Sequence, residues 1–420
     1  MRFLLFLVAG WLPAMAENLT EDLSQWKLWS QRAETAPRAW TDTKGGGTLA
    51  LSGGSNASAY GGWTRRVNAI IPGQWYRLTA LYRTAALDNE DQHVVARLDW
   101  QTAEAKRAGQ PDYGTCVGET SGWRKVELLA PAPAHVAAVT VELLFGHAPQ
   151  ATVYWSAITL EPVEAPAPRK VRIATVNLRP RDTKSAADSV ARFVEFVESR
   201  VDRADLIVLP EAMTLVGTPF VYTDVAEPVP GPTTQRLGKL AVVKSAYIVA
   251  GILEREGASV YNTAVLIGRK GELVGRYRKV YLPREEIEGG ITPGSDFPVF
   301  QTDFGRLGMM ICWDVQYTDP ARALALQRAE VIAMPIAGGN QILAQARAIE
   351  NQLFLVSSGY DFPSQIIDPV GEVIAHAAER PGIAFAEIDL NRRYTEPWLG
   401  RMRDRYFHEV RLDLPVSPRP

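Results

Sequence analysis

Three stretches of this sequence place reactive side chains beside strand-like runs. Asp205-Leu-Ile-Val-Leu-Pro-Glu211 ends an apolar run in a carboxylate, Gly275-Arg-Tyr-Arg-Lys279-Val-Tyr-Leu-Pro283 holds an amine among arginines, and Gly305-Arg-Leu-Gly-Met-Met-Ile-Cys312-Trp-Asp314 ends an apolar run in a thiol. Each alone has an ordinary explanation: a solvated acid, a surface lysine, a buried cysteine. Together they supply what thiol attack on an acyl carbon needs. A free thiol with a pKa of about 8.5 is mostly protonated in neutral water, so a base must take its proton. Glu211 can be that base. Lys279 and the Trp313 backbone N–H can stabilise the charge that develops on the attacked group. Water activated by the same carboxylate would then cleave the thioester on Cys312, without a metal or organic cofactor.

Other uses of an active cysteine find less support. The five histidines are His93, His135, His147, His376 and His408. Three fall in the first half of the chain, and neither His376 nor His408 has a catalytic motif around it, which disfavours a Cys-His hydrolase. No His or Cys cluster has the ligand spacing of a zinc site. Cys116 and Cys312 are the only two cysteines, too few for a disulfide framework, and they fall in different predicted domains.

The elements that must position these groups divide the chain in two. Before residue 162, short strands are predicted at Thr48–Ser52, Trp75–Tyr82, His93–Trp100, Trp123–Leu129, Val136–Phe145 and Thr152–Leu160. No convincing helix lies between them, which describes an all-β antiparallel sandwich. Eight tryptophans fall between residues 17 and 161, Trp26, Trp29, Trp40, Trp63, Trp75, Trp100, Trp123 and Trp155. They suit core filling, and a sugar-stacking surface is the alternative. After a stiff Pro- and Ala-rich linker, strands and helices alternate: strand Val171–Asn177, helix Ala187–Arg200, strand Leu206–Leu209, helix Thr233–Ser245 and strand Tyr247–Leu253. Strands Ser259–Ile267, Glu272–Val280 and Leu307–Ile311 follow. Helix Asp319–Gln327, strand Val331–Met334, helix Gln341–Asn351 and strand Phe354–Ser358 then continue the series. That order means a layered α/β domain, with the three reactive stretches at strand ends.

The predicted boundaries are a leader at 1–16, a β-sandwich at 17–161, a linker at 162–169, a catalytic domain at 170–395 and a C-terminal tail at 396–420. Residues 1–16 combine a basic start, a short apolar run and small residues at Ala14 and Ala16, the pattern of a secretory signal peptide, and so predict export to a periplasm or the exterior. No later run is long and apolar enough to cross a membrane as a helix. Of the 420 residues 46% are hydrophobic, and the formal net charge of -2 gives no electrostatic basis for a nucleic-acid or anionic-membrane partner. Asn18 and Asn56 lie in glycosylation sequons, whose use depends on the host.

From about Arg169 to Tyr394 the chain resembles the nitrilase superfamily of carbon–nitrogen hydrolases. The likeness rests on Leu-Pro-Glu211, Arg-Lys279-Val-Tyr-Leu-Pro and Gly-x-x-Ile-Cys312-Trp-Asp in that order. It implies an αββα four-layer sandwich, a Glu-Lys-Cys triad, no cofactor, and a homodimer or larger assembly. A supporting glutamate before a Pro-Gly is also implied; Glu288, ahead of Thr-Pro-Gly294, takes that role, with Glu285 and Glu286 as competitors. The first half resembles galactose-binding-like jelly rolls in strand patterning, which raises a glycan as a possible partner. Cys312-Trp313-Asp314 and Pro320-Ala-Arg322 are more similar to amidases and carbamoyl-amine hydrolases than to nitrilases, which usually carry Cys-Trp-Glu. Carbamoyl amino acid hydrolases often place arginines where Val315 and Gln316 stand, so a substrate carboxylate is not expected there. Pro335-Ile-Ala337 lacks the family's usual small hydroxyl residue. Gln316, Tyr317 and Ile336 are the candidate pocket residues. The predicted activity is hydrolysis of a small amide or carbamoyl substrate. Nitrile hydrolysis by the same triad is one alternative, and a noncatalytic glycan-binding or scaffold protein with a degenerate hydrolase domain is another.

Overall fold

A computed structural model of the chain describes residues 16–43, 47–84 and 87–412. All but the last residue of the expected leader lies outside the described residues. The chain divides into two units: one is residues 1–166 with 395–420, the other Ala167–Tyr394. Among the described residues no helix is long and apolar enough to cross a membrane.

In the first unit two antiparallel sheets share one core. The larger runs in the order Arg38–Asp42, Thr48–Ser52, Thr152–Val163, Trp75–Thr84, Trp123–Pro131 and Thr115–Thr120, with Glu17–Asn18 also paired to Thr152–Val163. The smaller runs Lys27–Ser30, Tyr60–Asn68, Ala138–Gly146, Val94–Gln101 and Asp112–Tyr113. Alternate residues of facing strands meet inside, as the two-residue period of a strand requires. Trp26, Trp63, Trp100 and Trp155 are in that core. Three of these indoles also find acceptors: Trp26 Nε1 donates to Leu19 O (2.9 Å), Trp63 Nε1 to Ala50 O (3.1 Å) and Trp100 Nε1 to Asp112 Oδ2 (2.8 Å). Four of the eight tryptophans between residues 17 and 161 are therefore interior packing. Trp40 remains 41% exposed, edge-on to Tyr154.

Residues 396–412 do not form a free tail. Helix Met402–Glu409 belongs to the first unit, where His408 Nε2 lies 3.1 Å from Gly114 O and its ring packs against Tyr113. A histidine that meets a backbone carbonyl and an aromatic face gives a charged, weakly amphipathic helix its anchor.

The second unit carries two six-stranded mixed sheets. One has the order Leu273–Arg278, Ser259–Ile267, Tyr247–Glu256, Leu206–Val208, Lys170–Asn177, Gly382–Asp389. The other is Val299–Gln301, Arg306–Met309, Val331–Pro335, Phe354–Ser358, Gln365–Ile367, Val373–His376. The central pairings of each are parallel. Along Lys170–Asn177, Val171 and Ile173 enter the core between the sheets with Leu307, Met309, Val331 and Val356, whereas Ala174 and Val176 face the other way. On that outer face they meet Val190, Phe193, Val194 and Val197 of helix Ala186–Arg200 and Leu237, Leu240 and Ala241 of helix Pro232–Lys244. Helices Asp319–Leu326 and Gln341–Asn351 bury Leu324, Ala325, Ala344 and Ala348, and the latter packs on Phe354–Ser358. The layers therefore run helix, sheet, sheet, helix.

Hydroxyl groups join the two sheets near their strand ends. Thr175 Oγ1 donates to Ser357 O (2.6 Å), and Ser358 Oγ and Ser364 Oγ both donate to Val176 O (2.7 and 2.8 Å). Helix Ala186–Arg200 starts at Ser185, whose Oγ accepts from Asp188 N as an N-cap. Phe193 fills the helix–sheet core with no exposed surface. Phe193→Ala is expected to cost about 3–5 kcal/mol, measured as a lower denaturant midpoint with an unchanged slope.

Candidate active site

Glu211 follows strand Leu206–Val208 through Leu209 and Pro210. Leu209 N donates to Val249 O (2.8 Å), and Gly251 N donates to Pro210 O (3.0 Å). A Cβ on Gly251 would stand 2.6 Å from Glu211 Cα, so only glycine lets these backbones approach so closely. The next residue, Ala212, has φ +51°. This turn directs a carboxylate only 3% exposed toward the strand ends.

Lys279 sits one residue past strand Leu273–Arg278, its N–H donating to Asn262 O (2.8 Å) and its C=O accepting from Gly294 N (2.8 Å). A Cβ on Gly294 would meet Arg278 O at 2.1 Å, which accounts for the Pro-Gly294 in the sequence. The ammonium is almost completely buried, at 1% exposure. It donates to Glu211 Oε1 (3.0 Å) and Glu286 Oε1 (2.6 Å). Burial alone would favour the neutral amine, but Glu211 and Glu286 outweigh it and hold the group protonated. Asn262 Nδ2 donates to the same two carboxylate oxygens, at 2.8 and 3.2 Å. Glu211 Oε2 accepts from Ala337 N (2.8 Å).

Cys312 opens a short 3-10 helix, Cys312–Gln316, with φ +44°. A non-glycine residue in this left-handed region costs about 1–3 kcal/mol, a strain common at functional sites. Its Sγ lies 3.6 Å from Gly338 O. Burial and the neighbouring Glu211 push the thiol up to about 12, against the opposing pull of Lys279 and the Ala337 N–H. The resting sulfur therefore favours its protonated form, with the Glu211 carboxylate beside it.

Asp314 ties the cysteine turn to the lysine segment. Its Oδ2 accepts from Ile311 N (2.8 Å) and Tyr277 Oη (2.7 Å), and its Oδ1 accepts from Tyr281 N (3.0 Å). Burial pushes this acid up to about 6 despite those bonds.

These groups converge where two sheets end, and the polypeptide around them has a recognisable relative. Residues 172–395, more than half of the chain, match the model of the carbon–nitrogen hydrolase family. The chain belongs to that family. It is a member of the nitrilase superfamily and an enzyme that hydrolyses carbon–nitrogen bonds. The omega-amidase NIT2 of Homo sapiens is 28% identical over 251 residues, which are 53% of this chain and 89% of that protein. A probable nitrilase of Schizosaccharomyces pombe is 33% identical over 53% of this chain and 90% of its own length. The carbon–nitrogen hydrolase structure from Helicobacter pylori aligns with a TM-score of 0.48 and 22% identity, over 58% of this chain and 96% of that one.

Within this hydrolase, Glu211, Lys279 and Cys312 stand together and Glu288 stands apart. Glu288 is on the exposed side of helix Arg284–Glu288, 3.9 Å from Arg284, whereas Glu286 is buried against Lys279. Residues two apart on a helix are about 200° apart around its axis, so both cannot face inward. Glu286, not Glu288, occupies the supporting position. Ile336 is also displaced from its expected role: it has no exposed surface, its Cδ1 lies over Gly339 beside Phe362, and its N–H donates to Ser358 O. Trp313 is 38% exposed, and Tyr317 stacks on Tyr281 with ring centroids 4.1 Å apart, while Gln316 is half-buried.

Sequence reasoning missed Asn262, Tyr222 and Tyr360. Burial is the leading cause that raises both Tyr222 and Tyr360; the charges of Glu286 and Glu211 add to it at Tyr222, and that of Glu211 at Tyr360. Asn262 carried a signal, a buried amide in the middle of an otherwise strand-forming run, Ser259–Ile267.

Two outcomes follow. Glu286→Gln should lower amide turnover at least tenfold, on the order of one charged hydrogen bond, while Glu288→Gln stays within about twofold of the wild type, as is usual for an exposed position; steady-state rates of both variants check this. Asp314→Asn presents an NH2 to backbone donors and should destabilise the protein by about 1–3 kcal/mol, read as a lower urea midpoint.

Proposed function

We propose that this enzyme hydrolyses the amide or carbamoyl bond of a small soluble substrate through a thioester on Cys312. The observation that carries the reading is the buried cluster in which one ammonium, two carboxylates and a protonated thiol share a few ångströms. Sγ attacks the acyl carbon as Glu211 Oε2 takes the thiol proton. Two of the three Lys279 N–H bonds are engaged by carboxylates, which leaves the third for the oxyanion. Trp313, second in its short helix, has a backbone N–H with no intrahelical acceptor and serves as the other donor. One such donor is worth about 10² to 10³ in rate. The C–N bond breaks, Glu211 returns its proton to the leaving ammonia or amine, and water activated by Glu211 cleaves the thioester.

A substrate body without a carboxylate is supported by what lies around the cysteine. Val315 is fully buried. Arg347 is occupied by Val315 O and Glu350, and Arg179 by Asp361. Trp313, Tyr281 and Tyr317 offer aromatic surface instead.

Screening purified protein for ammonia release from amides, carbamoyl compounds and nitriles tests the reading, with Cys312→Ala as control. Release from neutral amides or carbamoyl compounds that disappears in Cys312→Ala is expected. Full turnover by Cys312→Ala would refute the thiol mechanism, and release from nitriles alone would favour a nitrilase. Glu211→Gln should lose about 10² to 10⁴ in turnover, the usual worth of a general base. It also removes a negative charge beside the sulfur, so thiolate absorbance should appear at lower pH than in the wild type.

A further inference from the structure

Asn262 does more at this site than complete a strand. Strands Ser259–Ile267 and Leu273–Arg278 pair with Thr263 opposite Arg278, and the Lys279 N–H continues the ladder to Asn262 O. Amide and ammonium therefore stand side by side and span the same two acceptors, Glu211 Oε1 and Glu286 Oε1. The side chain uses its donor end alone. Asn262 Oδ1 is buried without a partner among the described residues, as is Glu286 Oε2. Reversing the amide would turn its oxygen onto two carboxylates, so electrostatics fixes its orientation. Its donor end is thus committed to two acids at once, a placement that folding of the strand alone does not require.

We infer that Asn262 is a positioning residue that selects the working oxygen of Glu211: with Oε1 saturated by Asn262 and Lys279, the Cys312 proton is received at Oε2. Among the described residues Oε2 accepts only from the Ala337 N–H. The inference rests on the proposed Cys312 chemistry. The ionisable groups gathered here are Glu211 behind its strand, Lys279, Glu286 on its short helix, Cys312, Tyr222 and Tyr360, with Arg179 beyond Tyr360. The two amide N–H groups stabilise both carboxylates as anions. Removing them makes the carboxylate pair harder to ionise and opens Oε1 as an unproductive proton site.

The test is kcat, KM and the pH–rate profile of full-length Asn262→Leu, of similar size without a donor, and of Asn262→Ser, which keeps one small donor. Alkylation of Cys312 by iodoacetamide is followed over the same pH range in a Cys116→Ser background. For Asn262→Leu, kcat should fall about 10- to 100-fold, the worth of a hydrogen bond to a charged group. KM should stay within about threefold because the amide does not touch substrate. The acid limbs of both turnover and alkylation should move to higher pH, with Asn262→Ser intermediate. A folded Asn262→Leu with unchanged kcat and acid limb overturns the inference, as does a loss of rate equal at every pH with alkylation unaltered, which is the mark of a structural role. If Asn262→Leu does not fold, Asn262→Ser is read by the same criteria. If the wild type turns over no amide while the alkylation limb still moves in the variants, the positioning role stands and the reaction reading fails.

Discussion

An ammonium buried as deeply as that of Lys279 survives only if fixed negative groups replace the water it has lost. Glu211 and Glu286 do so, each through one oxygen, and Asn262 braces the same two oxygens from the side. Two carboxylates around one cation leave the cluster short of positive charge when both are ionised, which is why burial and Glu211 hold Glu286 above the ordinary carboxylate range and why the thiol beside them keeps its proton. Among the described residues this leaves a lone pair on Glu211 Oε2 and one N–H of Lys279 unengaged, the two positions that the proposed acyl transfer uses.

The remaining architecture keeps that cluster in register. Each reactive residue lies just past a strand end, and the backbone there is forced into close or strained geometry. Gly251 admits the Glu211 turn, Gly294 lies against Arg278, and Cys312 takes a left-handed φ. Asp314 joins the cysteine and lysine segments by accepting backbone donors from both, and the hydroxyls of Thr175, Ser358 and Ser364 tie one sheet to the other at the same end. Because the Asp314 carboxylate is wholly engaged inside the protein, its presence in place of the glutamate usual in nitrilases reports on how this turn is tied. It does not read the substrate directly.

The layered fold was legible because strand and helix periods alternate plainly between Val171 and Ser358, and the meeting of Glu211, Lys279 and Cys312 was expected from the order and strand context of their motifs, although Lys279 by itself stands among arginines. The supporting glutamate was not. Arg284-Glu-Glu-Ile-Glu288 offers three acids on one short helix, and its single apolar residue, Ile287, is itself 59% exposed, so hydrophobic patterning gives no inward face. Ile336 was misread because position after a strand end says nothing about which way a side chain turns. Strand Tyr60–Asn68 escaped notice behind its paired glycines and arginines, and helix Met402–Glu409 behind its charges; each is held by partners distant in sequence, the strand by Ala138–Gly146 and the helix through His408.

On the proposed mechanism Cys312 carries the acyl group. Rapid acid quenching of the enzyme during turnover of a slow amide substrate, followed by peptide mass spectrometry, tests it most directly. The expected result is a peptide containing Cys312 heavier by the acyl group, formed with release of ammonia or amine, lost on longer incubation and missing from Cys312→Ala. Turnover with no adduct on Cys312 at any time, under conditions where a thioester standard survives the quench, would contradict it.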